Sequence, residues 1–536
     1  MMRRPTPRKD GSFARAASWT GVCALMIGGV LVFWAFDALP FQDLPEHAGL
    51  IALRHRFAQS AFDQRFFVLA PHLGPYSLFR FLGDLLVLPL GPVGAVRAIA
   101  TLPLVATPLA LVWARRRLHS DFSPTGAYFG LALGFGFMTL LGFASYLLGV
   151  AVLIVALTAW LELLVAVDAK SPSAAKLELG IACTNPLVLL VHGHAFAVLT
   201  ALQGVSALAS GDRWRRLLRT RALAPALLLA AWVEWRERSS IVPTGSAPVP
   251  HAALDARFQG LFDKLSLLLT PTLMTRSGAD ALVGLGLWGV VIAAAVATAR
   301  SPRQATGGEW PEARENGSRS HAHALLVSAI AVALAFLVLP HSIGWFGFVD
   351  GRLVPLMLLL PIMAVRRPSL GPRLAAAFDR VAPLAAGAMV SIAWIGTFLF
   401  QAEAVGWRQV LAQVPSNSKL LYLPLEPNSD VLTAHPFVHY DKLVMAERPI
   451  VVGDLWYHQG SGVYPTAANP ALALPPTYSA SDLRRVDWPA YRLEDWDLLL
   501  VRTRPLAREP WVPAPFALTA RRGGWWLFCK RAEARP

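Results

Sequence analysis

Apolar residues run along this chain in about eleven stretches separated by short polar connections, the spacing of a polytopic helical membrane protein. Residues 19–36, 281–299 and 322–339 contain no Asp, Glu, Lys or Arg, and each matches the roughly 17–25 residues that a bilayer-crossing helix needs. The same reading predicts spans at 93–113, 122–141, 145–167, 177–191, 195–208, 223–235, 353–364 and 381–400. Residues 76–90 are also apolar, but they carry Arg80 and Asp84 and end at Gly91-Pro92. Charged side chains near the bilayer centre cost several kcal/mol, so this piece is expected in the interface or as a re-entrant segment, not as a span. Residues 177–191 and 353–364 are short for a bilayer, and short helices are tolerated where protein or a cavity surrounds them.

After residue 400 the pattern changes. Prolines and polar residues increase, and short runs of strand type occur at 420–425, 450–452, 498–501 and 525–528, which predicts a small α/β domain. Residues 302–320, rich in Gly, Ser and charge, read as a disordered loop.

Composition agrees with the pattern: 55% of the 536 residues are hydrophobic and only 15% are charged, which a water-soluble globule could not bury. The net charge of +15 does not indicate nucleic acid, because the basic residues recur between spans and form no single stripe. They set the orientation instead. Arg3, Arg4, Arg8, Lys9 and Arg15 keep the N-terminus in the cytoplasm ahead of an uncleaved first helix. Arg115, Arg116 and Arg117, then Arg213, Arg215, Arg216 and Arg219, then Arg366 and Arg367, fall on the same side. The expected organisation is a basic cytoplasmic start (1–17), a membrane domain (18–400) with a first outer loop at 40–75 and a loose cytoplasmic connection at 300–321, and an extracytoplasmic domain (401–536). Cys23, Cys183 and Cys529 make no metal-binding or disulfide pattern.

This threading gathers the unusual polar residues on the outer face: Asp43, Glu46 and His47 in the first loop; Tyr146 after Gly142; His192 and His194 at a helix junction; and His341, Trp345, Asp350 and Arg352 before the 353–364 span. Each group has two readings. Asp43 and Glu46, three residues apart, suit paired acid–base work on one helix face, but equally an N-cap with a first-turn acid. His192 and His194 suit hydrogen bonding in a wet cavity better than a metal, for want of a third ligand. Arg352 suits a phosphate or a snorkelling cation.

A basic start, one span, an outer loop with Asp43-Leu44-Pro45-Glu46-His47, many further spans and a C-terminal outer domain resemble the GT-C superfamily of polytopic membrane glycosyltransferases. The stretches Gly142-Phe143-Ala144-Ser145-Tyr146 and Gly351-Arg352-Leu353-Val354-Pro355 are similar to segments of bacterial membrane proteins related to it. The resemblance implies a sugar donor on a polyprenyl phosphate and a bacterial inner-membrane home. It also implies transfer to an envelope glycan, lipid or protein on the extracytoplasmic face. In those terms Asp43 is the general base and Glu46 its helper, Arg352 pairs with the lipid phosphate, and His47, Tyr146, His192, His194, His341 and Asp350 contact substrate. It leaves a divalent metal as an open option and names no firm cofactor. Here Leu44 and Pro45 separate two acids that several members carry side by side. Two other classes fit the pattern: a transporter, which predicts inverted repeats, and a noncatalytic scaffold of envelope assembly, which predicts that Asp43 and Arg352 are replaceable.

Overall fold

The computed structural model describes residues 10–70, 73–168, 171–209, 221–238, 245–247, 255–301, 312–344, 346–456, 460–475, 478 and 486–531. Trp345 and the basic cluster at 213–219 lie outside these residues.

Each predicted span except 122–141 falls on one main helix, and the chain is a helical, multi-pass membrane protein with a small C-terminal sheet domain. Among the described residues six helices are long and apolar enough to cross a bilayer: Ser77–His119, Ala144–Val167, Ala174–Val191, Ala279–Arg300, Gly317–Val338 and Pro372–Glu403. Ser18–Val32, Gly193–Ala209 and Gly351–Ala364 are shorter apolar helices.

Helix Ser77–His119 would be about 64 Å long if straight, roughly twice the hydrocarbon core. It breaks at Gly91, where φ is +68°, between Pro89 and Pro92. The arm before the break carries the two charges that the sequence kept out of the bilayer. Arg54 of helix Leu44–Arg56 reaches the Asp84 carboxylate at 2.6 Å and donates to the Arg80 carbonyl, so the arm packs on the outer loop.

Two expectations need correction. Residues 122–141 do not form one helix: Thr125–Ala132 stops, and a separate turn runs from Phe137 to Leu140. The cause is the 268–272 segment, which presses against Gly136, while the Phe137 N–H donates to the Thr270 carbonyl at 2.9 Å. Every residue of Thr125–Ala132 is buried, so the interruption sits inside protein, where lipid does not strand its backbone groups. Residues 302–320 are not wholly loop either. Residues 302–311 lie outside the described ones, but from Glu312 the chain is helical and continues to Val338, because the apolar run after 320 propagates a helix backwards through its polar start.

The C-terminal sheet has five strands in the order Ile450–Val452, Ser418–Pro424, Leu498–Arg502, Trp525–Lys530, Phe516–Arg522. The first three are parallel and the last two antiparallel to their neighbours. Helix Asp441–Glu447 makes the crossover between the first parallel pair. The central strand Leu498–Arg502 is buried along its whole length. Phe516–Arg522, which the apolar pattern did not predict, is an edge strand with exposed polar residues.

The first outer loop is not separate from this domain. Strand Phe67–Leu69 pairs with Val463–Pro465, and helix Leu44–Arg56 lies on helix Asp441–Glu447, with Gly49 against Lys442. The loop is also held to the broken 122–141 region: the Gln42 and Asp43 N–H groups donate to the carbonyls of Leu140 (2.8 Å) and Leu141 (3.1 Å). Gly142, at φ +82°, makes this approach feasible, because a Cβ there would stand 2.9 Å from the Asp43 nitrogen.

Gly142→Ala is therefore expected to lose stability by about 1–2 kcal/mol from backbone strain, plus the cost of displacing residues 42–43. Gly278→Ala, at φ +76° in the left-handed region and with nothing within 4 Å of an added Cβ, reports the strain alone. Unfolding midpoints in detergent should fall further for Gly142→Ala; equal losses would mean that the contact with Asp43 carries no weight.

Candidate active site

A cavity of about 360 Å³ opens where the first outer loop, the kinked arm, the helix junctions and the C-terminal domain meet. Asp43, His47, Tyr146, His192 and Arg352, all singled out from sequence, line it. So do residues the sequence did not single out: Tyr76 and Arg80 from the kinked arm, Arg54 from the outer-loop helix, and His439, Asp454 and Trp456 from the C-terminal domain.

Asp43 precedes helix Leu44–Arg56, yet its side chain makes no capping hydrogen bond, so the capping alternative is not realised. The carboxyl is buried instead at the cavity wall. Burial pushes its pKa up to about 8, against the opposing pull of the Arg352 charge and a hydrogen bond from Gln42.

Arg352 stands on the 3-10 turn that opens the short 351–364 helix. Its guanidinium lies 3.9 Å from the ring centre of Phe346, 4.5 Å from Phe143 and 5.8 Å from Tyr146. The Tyr146 hydroxyl donates to the Arg352 carbonyl and fixes the turn. Two buried donors of the guanidinium, Nε and Nη1, have no hydrogen-bond partner among the described residues, while Tyr76 interacts with the group. An aromatic-clamped cation with spare donors is suited to an anion.

His192 accepts from the Ala195 N–H at Nδ1 (3.4 Å), which leaves Nε2 to donate to the Tyr76 hydroxyl at 3.3 Å. His47 packs on Phe79 and Trp456, with ring centres 4.4 and 5.2 Å away. His194 lies behind the lining, its ring 6.0 Å from that of Tyr146.

Glu46 sits one layer beneath Asp43. Its Oε1 accepts from the Trp456 N–H at 2.8 Å, and its Oε2 lies 3.5 Å from His439 Nδ1 and 3.7 Å from Lys442 Nζ. Burial pushes its pKa to about 8, with Lys442 opposing and Asp454 reinforcing the shift. Burial works against the Lys442 charge, but Asp441, 3.1 Å away, and Glu46 outweigh it and hold its pKa above the ordinary value. Asp441 is itself raised by burial to about 6.

His341 and Asp350 fall in a different cluster. Asp350 accepts from Lys264 Nζ and contacts His341 Nδ1, both at 2.9 Å, and Lys264 also donates to the carbonyls of Phe336 and Leu339. These bonds tie the 261–267 helix to the C-terminal end of helix Glu312–Val338. No three His, Cys, Asp or Glu among the described residues converge as metal ligands. Asp43, His439 and Glu46 contact one another in sequence and do not surround a common point, so the donor set does not fit a resident metal.

No protein-family model and no curated protein matches the chain by sequence. Among solved structures, ArnT from Cupriavidus metallidurans, bound to undecaprenyl phosphate, is similar with a TM-score of 0.57 at 12% identity, over 97% of this chain and 99% of that one. The arabinofuranosyltransferase AftD from Mycobacteria is similar with a TM-score of 0.48 at 16% identity, over 95% of this chain and 40% of that one. The likeness to ArnT runs the length of both chains and shows that the two share a fold.

The buried acids make stability depend on pH. Glu46 titrates near 4.5 when unfolded and near 8 in the native state, so between these values the native chain keeps a proton that the unfolded chain has lost. Stability from this group therefore falls as pH rises through that window. Wild-type unfolding midpoints should drop between pH 5 and 9, and Glu46→Gln, which retains the acceptor for Trp456, should show a shallower drop. Parallel curves would remove Glu46 from the titrating set.

Proposed function

We propose that the protein is a glycosyltransferase that moves a sugar from a polyprenyl-phosphate donor to an acceptor hydroxyl on the extracytoplasmic face of a bacterial inner membrane. The observation that carries this reading is the convergence, on one cavity, of a buried carboxyl at Asp43 and an aromatic-clamped guanidinium at Arg352 with spare donors. The GT-C fold supports it as analogy, and ArnT was captured with undecaprenyl phosphate.

In this reading the acceptor hydroxyl attacks the anomeric carbon of the donor, and its proton passes to the Asp43 carboxylate. The bond between that carbon and the phosphate oxygen breaks, and the electron pair stays on the phosphate. Arg352 holds that oxygen as its charge grows, in a site where few water molecules compete. A pKa near 8 suits Asp43 to the task, since a base works best when its pKa lies close to the working pH. Tyr76, His47 and His192 present hydroxyl and imidazole groups at the same cavity for sugar hydroxyls. No step requires a metal.

The test is transfer of labelled sugar from a panel of polyprenyl-phosphate donors by the purified full-length protein. Asp43→Asn should reduce turnover about 10²- to 10⁴-fold with little change in donor KM. Arg352→Gln should reduce kcat/KM on the order of 10- to 100-fold, as expected for the loss of a charge-assisted contact. The rate should rise with pH towards a plateau above about 8, because the base must be deprotonated, and Arg352→Gln should move that rise to higher pH because Arg352 holds the Asp43 pKa down. An Asp43→Asn variant as active as wild type would remove Asp43 as the base.

A further inference from the structure

His439 is more than a wall of the cavity. It is 439 residues along the chain and belongs to the turn before helix Asp441–Glu447 of the C-terminal domain, yet its ring stands between the two acids of the first outer loop. Nε2 lies 3.8 Å from Asp43 Oδ1, and Nδ1 lies 3.5 Å from Glu46 Oε2. The ring is buried and braced edge-on against Trp456, with ring centres 5.8 Å apart. Its Nδ1 and the Glu46 Oε2 it faces both lack a hydrogen-bond partner among the described residues, although they face each other. The gap to Glu46 is a few tenths of an ångström longer than a hydrogen bond, and the gap to Asp43 is longer by more than half an ångström. Contacts of this kind in a ligand-free site commonly tighten when substrate binds.

We propose that His439 is a positioning residue for Asp43: its imidazole bridges the Glu46 and Asp43 carboxyls and aims the Asp43 carboxylate at the acceptor hydroxyl. The inference rests on Asp43 being the base. Burial, then the Lys442 charge, then His47, holds the ring well below the ordinary histidine pKa, so it bridges as a neutral group. One ring nitrogen then carries a proton and the other accepts. Glu46, held protonated by burial, donates from Oε2 to Nδ1, which fixes the tautomer with Nε2–H directed at Asp43. The charged and titratable groups facing this array are Arg352 and Tyr76 at Asp43, Lys442, Asp454 and Asp441 at Glu46, and Lys442 and His47 at the ring itself. Two acids three residues apart thus share one partner supplied by the outer domain. The bridge explains how Glu46 assists the base from behind the cavity wall without touching substrate.

The experiment uses the full-length protein in detergent, with His439→Phe, which keeps ring volume but removes both nitrogens, and His439→Gln, which keeps an amide in their place. The first readout does not depend on turnover. In pH-difference infrared spectra the carboxyl band lost in Asp43→Asn reports Asp43 directly. It should titrate near 8 in wild type, at higher pH in His439→Phe because the donor to the carboxylate is gone, and nearer wild type in His439→Gln. The second readout is transfer from the polyprenyl-phosphate panel. His439→Phe should lower kcat on the order of 10- to 100-fold with donor KM nearly unchanged, as for a misaligned reacting group. His439→Gln should recover part of the loss. An Asp43 band that titrates identically in all three proteins overturns the inference. So does a His439→Phe defect confined to KM. If no donor is consumed but the band still moves, the bridge stands and the transferase reading fails. Should His439→Phe not fold, His439→Ala removes the same nitrogens and gives the same reading.

Discussion

Four ionisable groups, Glu46, His439, Asp441 and Lys442, are taken out of water together where helix Leu44–Arg56 lies on helix Asp441–Glu447, and the joining of residues 40–75 to the C-terminal domain follows from that contact. Buried charges are tolerated only when paired or neutralised, so this seam closes well in a single register, with Lys442 reaching Asp441 and Glu46. Gly49 lets the two helices approach at that point, since a Cβ there would stand 3.2 Å from Lys442. Burial lifts Glu46 and Asp441 against the opposing Lys442 charge, and it lifts Asp43 against the charge of Arg352. The unusual acidity of the cavity is a property of how two distant parts of the chain dock. No single residue produces it.

The membrane part obeys a complementary rule. Two of its irregular stretches occur where protein covers them. All residues of Val354–Ala364 except Met357 are buried, and the break after Ala132 is filled by the 268–272 segment. These interruptions place Gly142, Tyr146 and Arg352 beside the outer loop and give the cavity a rigid floor.

Much of this was legible from local pattern. Hydropathy located the helices, strand-type runs located four of the five strands of the C-terminal sheet, and the break expected at Gly91-Pro92 falls at Gly91. Asp43, His47, Tyr146, His192 and Arg352 were legible because orientation put them on one face, and they share one cavity. His341 and Asp350 satisfied the same criterion but are drawn away by Lys264, whose role depends on a contact across 86 residues. His439 and Lys442 were not legible because their partners lie about four hundred positions earlier, in another element. The available clue was Phe437-Val438-His439-Tyr440-Asp441-Lys442, where charged residues are interleaved with large apolar ones and burial of one set buries the other.

The kinked arm has one further consequence. Its inner face supplies Phe79 and Arg80 to the cavity, while Phe81, Leu85 and Leu88 on the other side are exposed, as for a helix lying along a bilayer surface. With the arm in that position, the mouth of the cavity would lie level with the lipid headgroups. A substrate carried on a long isoprenoid chain would be found by lateral diffusion in a plane, not from bulk solution. Encounter would scale with its surface density, and diluting the membrane with inert lipid would slow the reaction at constant total concentration.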